Sequence, residues 1–151
     1  MHNEKNSLEY IKELVTQNNN AKALEILNHL ANKSMWFQNT KAVCQMRMNA
    51  SASAVRTLQP VVFIGGSVTI NPETPDKIKL NLAEAMLLSG NVAGAVNILE
   101  YCSQKSPARD KLENAIKKWK QSLPIWPRLM ILLGGLPIDK PVNTDAPYGE
   151  L

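Results

Sequence analysis

The sequence predicts an all-α fold built from antiparallel helix pairs, on three observations. In residues 80–107, LNLAEAMLLSGNVAGAVNILEYCSQKSP, apolar residues recur at helical spacing on both sides of a tight Ser89-Gly90-Asn91 turn. Leu82, Met86, Leu87 and Leu88 form one stripe, and Val92, Ala95, Val96, Leu99 and Cys102 form a second. The same pattern returns near the N-terminus, where Ala23 and Leu27 take the parts of Ala95 and Leu99 at a distance of two repeats of roughly 36 residues. The chain has 151 residues, 44% of them hydrophobic and 20% charged, which suits one soluble domain with a sizeable core.

The elements follow in order. Ser7 can cap a helix through Leu8, Ile11, Leu14 and Val15, which ends at Asn18-Asn19-Asn20. Asn18 can stand in for a turn glycine because asparagine enters left-handed conformations more readily than most residues. Residues 21–30 complete a first pair, about 7–33. A second, about 36–60, carries Trp36, Phe37, Ala42, Val43 and Met46, turns at Asn49-Ala50-Ser51, and continues with Ala54, Val55, Leu58 and Val61. Pro60 predicts a bend or an early end there. The following PVVFIGGSVTINPETPDK keeps no helical period and predicts an irregular loop near 60–75, in which 61–64 and 68–70 can pair across Gly65-Gly66. Thr74 or Asp76 can cap a third pair, about 76–106, with Pro75 near its first turn and Pro107 ending its second helix.

A helix over about 108–123 sets Leu112, Ala115, Ile116 and Trp119 against a charged face, as a terminal cap should. After Pro124 comes a short apolar turn or helix around 126–133, stopped by Gly134-Gly135, then an extended Pro-containing tail without helix signals. The expected organisation is a helical domain over 5–123 and a C-terminal appendage over 124–151.

Residues 80–107 resemble a tetratricopeptide repeat. Ala83 after Leu82, then Met86, the turn Gly90, Ala95, Leu99, Cys102 and Pro107 stand at that family's spacing, while Lys79 replaces its usual aromatic. More loosely, residues 5–123 resemble small bacterial proteins of two or three such repeats, followed by a Trp-containing capping helix and a Pro-rich strap. The resemblance implies a short right-handed solenoid of about three hairpins plus a capping helix. Its first helices would line a concave, non-enzymatic protein-interaction surface for a peptide or partner protein. By this resemblance Lys12, Trp36, Asn39, Val43, Arg47, Lys77, Asn81 and Glu84 point towards that surface. Chaperone-binding members hold a C-terminal carboxylate with basic and Asn side chains. Lys12, Lys77 and Asn81 could serve here, but Leu8 and Thr40 occupy two of the places, which implies a mixed polar and apolar groove.

The remaining chemistry is thin. A net charge of +4 and a pI near 9.1 favour acidic partners only weakly. Cys44 and Cys102 lie in apolar helical patterns, so buried reduced thiols are expected, not a disulfide or metal site, as in a cytoplasmic protein. The polar N-terminus holds no signal-peptide core, and no window reaches the roughly 18 to 20 apolar residues that span a bilayer. His2 and His29 stand alone, Glu9 and Glu13 have Lys5 and Lys12 beside them, and neither Gly-Gly pair precedes a Lys-Ser/Thr. No catalytic residue, cofactor or metal is expected. Lys105, Arg109, Lys111, Lys117, Lys118 and Lys120 flank Trp119 as a nucleic-acid surface would, but Asp110 and Glu113 dilute them and Trp119 belongs to the apolar stripe, which favours a solvated face. Residues 125–136 are too short and too sparsely basic for a membrane-interface helix, so packing on the capping helix is favoured. Two readings stay open. One is an interaction module whose groove the 60–75 loop can gate. The other is a structural protein that buries Val62, Phe63, Ile64 and Ile131 in a homodimer, or whose own tail fills the groove.

Overall fold

The computed structural model describes residues 2–30, 34–102, 106–132 and 140–151. These form eight α-helices: α1 (His2–Thr16), α2 (Asn20–His29), α3 (Met35–Arg47), α4 (Ser51–Val62), α5 (Asp76–Leu88), α6 (Val92–Glu100), α7 (Pro107–Ser122) and α8 (Ile125–Leu132). The described part is all-α, with no strand among the described residues. Lys105 and the expected helix stop at Gly134-Gly135 lie outside them.

Three of the connections are built alike, and the reason is local. Two residues past α1, α3 and α5 stand Asn18, Asn49 and Gly90, with φ of 61°, 59° and 93°. In each turn the next amide reaches back to close the helix end: Asn19 N to Leu14 O, Ala50 N to Gln45 O and Asn91 N to Met86 O, all at 2.8 Å. This is a helix stop with a left-handed residue, for which glycine and asparagine are the least strained choices. The intervals are unequal, because the loop over 63–75 lengthens the stretch between Asn49 and Gly90. Ala23, Ala54 and Ala95 each follow their left-handed residue by the same distance and are wholly buried. Only a small side chain leaves room there for neighbouring backbones to approach.

Consecutive helices from α1 to α6 pack on one another, α3 touches both α1 and α5, and α5 also touches α7. The core runs through this stack: Ile11 and Val15 of α1, Met46 of α3, Leu58 of α4, Ile78, Leu82 and Leu87 of α5 and Ile98 of α6 have essentially no exposure.

The structure corrects several local expectations. α1 starts at His2, so Ser7 sits inside the helix and does not cap it. Pro60 does not end α4, which carries it within its last turn and runs on to Val62. An exposed late position tolerates the missing amide. Val62 is wholly buried and Phe63 half-buried, so of the apolar groups expected to seal a homodimer near this loop only Ile64 is exposed. Pairing across Gly65-Gly66 shrinks to one isolated antiparallel bridge, Phe63 with Ile70. Thr74 does not cap α5: its hydroxyl donates to Val61 O at 3.0 Å, tying the loop to α4, and Pro75 takes the cap position. Pro107 opens α7 instead of closing α6, and the Ser106 hydroxyl accepts from Arg109 N at 3.2 Å as its cap.

Candidate functional site

α3 and α5 each carry polar side chains on the side away from their apolar core. On α3 these are Asn39 and Arg47, with Val43 between them, spaced by full turns. On α5 they are Lys77, Asn81 and Glu84. The chain's own residues 140–151, the strap, lie against this surface, and nearly every hydrogen bond between them is made to the strap's main chain, while Val142, Tyr148 and Leu151 pack their side chains against the core. Asn81 Nδ2 donates to Glu150 O at 2.7 Å while Asn81 Oδ1 accepts from Glu150 N at 2.9 Å, so one side-chain amide reads both faces of that residue. Asn39 Nδ2 donates to the same carbonyl at 3.1 Å, and its Oδ1 accepts from Asn81 Nδ2 at 2.8 Å, which fixes the orientation of both amides. Arg47 spreads its guanidinium over Tyr148 O at 2.9 Å, Gly149 O at 3.3 Å and Val15 O at the end of α1 at 3.1 Å. Lys77 Nζ donates to Leu151 O at 2.6 Å.

Glu84 is the pivot. Its side chain is 6% exposed, and an isolated carboxylate there would be costly. It is fully partnered: Oε2 accepts from Gly149 N at 2.8 Å, while Oε1 accepts from the Thr144 hydroxyl at 2.8 Å and from Lys111 Nζ of α7 at 3.1 Å. Lys111 also donates to Pro147 O at 3.3 Å. Five residues of extended chain would span roughly 17 Å, yet Thr144 and Gly149 meet at one carboxylate. The strap is therefore a hook over this stretch, which corrects the expectation of a tail extended throughout. Gly149 has φ of +71°, and a Cβ placed on it would stand 2.7 Å from Met46 Cε and 2.8 Å from Val43 Cγ2. At the other end Val142, itself buried, donates its amide to Leu87 O at 2.8 Å.

Of the residues that the sequence reading pointed at this surface, Asn39, Arg47, Lys77, Asn81 and Glu84 hydrogen-bond the strap, and Val43 forms the floor beneath Gly149. Lys12 instead pairs with Glu9 at 3.1 Å on the outer part of α1. Trp36 is exposed, and its carbonyl accepts the Thr40 hydroxyl at 2.9 Å. Neither joins the cluster. The sequence reading missed Lys111, grouped with its cationic neighbours on α7, and missed Thr144 and Gly149 as the groups that fill the groove. No periodicity marks a residue in an irregular segment, so the only signal was a glycine in a stretch with no regular element to break.

Elsewhere the chemistry is quiet. Burial pushes the Cys44 thiol up to about 11, and Cys102 is raised for the same reason, so neither is an activated nucleophile. Among the described residues no group of three or more His, Cys, Asp or Glu could hold a metal ion, and no helix is long and apolar enough to cross a membrane. A cavity of about 660 Å³ opens between α7 and α8, away from the strap, with Ile116, Leu123 and Ile131 as its apolar wall and Lys117, Lys120 and Arg128 beside them. Its groups do not converge on a point as those around Glu84 do. Comparison with protein-family models, curated proteins and solved structures finds no significant match to this chain.

Proposed function

We propose that the chain is a non-enzymatic protein-interaction module of the tetratricopeptide type, whose groove along α3 and α5 binds a peptide segment of a partner protein by its main chain. The observation that carries this reading is the paired use of Asn39 and Asn81 on the backbone of Glu150. Amides aimed at a peptide unit recognise a chain whatever its side chains, and the surrounding Arg47 and Lys77 do the same for three further carbonyls. The three like turns and the equivalent Ala23, Ala54 and Ala95 support the repeat assignment. In this reading the strap occupies the groove in cis, in the manner a partner's segment would in trans.

The test uses the full chain with Gly149→Val, which displaces the strap by adding a side chain where none fits. The probe is a fluorescent peptide of sequence 140–151, blocked at both ends. Anisotropy should show binding to the variant. It should show binding at least about tenfold weaker to the wild-type chain, because a tethered segment competes at an effective concentration on the order of millimolar. Arg47→Glu with Lys77→Glu, added to Gly149→Val, should abolish binding. If a folded Gly149→Val chain ignores the peptide, or wild type binds it equally well, the groove is not the binding surface.

A further inference from the structure

Resting on that groove reading, we infer that the groove selects a partner segment with the pattern Val-x-Thr-x4-Gly, bound as a hook with its threonine hydroxyl and glycine amide on the single carboxylate of Glu84. The strap shows which positions carry information. At Tyr148, Glu150 and Leu151 the groove's hydrogen bonds go to main-chain atoms, which any residue supplies, while the half-buried Tyr148 and Leu151 side chains add apolar packing against the core. Asn143, Asp145, Ala146, Pro147 and Glu150 are exposed. Three positions are closed. Val142 is buried beside α5, Thr144 has no exposure and spends its hydroxyl on Glu84, and Gly149 adopts a left-handed backbone directly over Val43 and Met46.

Each closed position excludes for a separate physical reason. An alanine in place of Gly149 meets two side-chain atoms at under 3 Å and also a backbone conformation that L residues rarely adopt. A valine in place of Thr144 keeps the shape but removes a donor from a buried carboxylate. A polar residue in place of Val142 brings an unpartnered group into an apolar site. The five-residue separation matters as much as the identities, because both groups must reach Glu84 from one bend. The ligand class is therefore a bent, uncharged-at-the-pivot peptide with a hydroxyl and a glycine at fixed separation, distinct from a straight peptide read at alternate residues.

A panel of blocked dodecapeptides, titrated against the full-length Gly149→Val chain, tests this. With positions numbered as in the strap, Gly149→Ala should weaken binding by about thirtyfold or more and Thr144→Val by about tenfold. Thr144→Ser, which keeps the hydroxyl, and Asp145→Ala should stay within about threefold of the parent. Inserting one glycine between positions 145 and 146 should weaken binding like Gly149→Ala. If the parent peptide binds but the Gly149→Ala and Thr144→Val peptides bind within about twofold of it, the selectivity is overturned and the groove reading stands. If the parent peptide itself does not bind, the groove reading falls first. Should Gly149→Val fail to fold, the same peptides can compete with the strap of the wild-type chain. Loss of hydrogen-exchange protection at the Gly149 amide then reports displacement, with the same ranking expected. A wild-type dimer that the free parent peptide dissociates would make a second copy the occupant and would overturn the assignment to a partner's segment.

Discussion

α5 and α7 touch each other, yet they treat their polar residues in opposite ways. α7 is a plain amphipathic helix: Leu112, Ala115 and Ile116 are buried, and Glu113, Lys117, Lys118 and Lys120 face water. α5 is buried on all sides from Ile78 to Leu87, with Lys79, Asn81 and Glu84 inside. The difference lies in what covers the second face. On α5 the strap does so, and its peptide groups supply partners that water supplies on α7. A polar residue on the water-facing side of α7 is replaceable, whereas Asn81 and Glu84 of α5, with Lys111 reaching in from α7, are part of a closed hydrogen-bond set whose members fail together.

That contrast can be broken at its strongest point. Glu84→Ala strands the Gly149 amide, the Thr144 hydroxyl and Lys111, and should lower unfolding free energy by about 3 kcal/mol in a denaturant titration. A loss below about 1 kcal/mol would mean the carboxylate is no pivot. The dry side of α3 gives a second expectation of about 2 kcal/mol. With the folded-state Cys44 thiol near 11 against 9.0 for the free group, the unfolded chain releases its proton first as pH rises. Stability is then full below about pH 9 and falls between about pH 9 and 11, and Cys44→Ala should lack that share of the decline. Gly149→Val should cost about 2 kcal/mol, and strap amides should lose exchange protection while α6 keeps its own. Asn81→Ala, which removes contacts that Asn39 partly duplicates, should cost about 1 kcal/mol. Lys117→Ala on α7 and Lys12→Ala on α1 should change stability by no more than about 0.5 kcal/mol, and larger effects there would erase the contrast.

How far the sequence carried the fold depended on whether a pattern was periodic. α2, α3 and α5 were legible within a residue or two, because apolar spacing and the turn residues Asn18, Asn49 and Gly90 agreed, whereas α6 was expected to run up to Pro107 and ends at Glu100. α1 and α4 were misjudged at an end, because Ser7 and Pro60 signal boundaries only when nothing longer-range overrides them. At the groove, helical phase read through the repeat resemblance pointed to Asn39, Val43, Arg47, Lys77, Asn81 and Glu84, all of which meet the strap. It also proposed Lys12 and Trp36, because phase specifies a side and not a partner. Lys111 stayed hidden in a run of cations, and Thr144 became meaningful only once the hook brought it to α5.

The Lys111 ammonium joins α7 to both Glu84 and the strap carbonyl of Pro147. Departure of the strap would remove one of those two ties and leave the other carboxylate oxygen without its amide donor. Trp119 stands further along the same helix, half-buried against the core, whereas Trp36 and Trp126 already face solvent. Were α7 to loosen with the loss of these ties, Trp119 would report it, and a red shift of tryptophan emission on strap release would let filling and emptying be followed in real time on unlabelled protein.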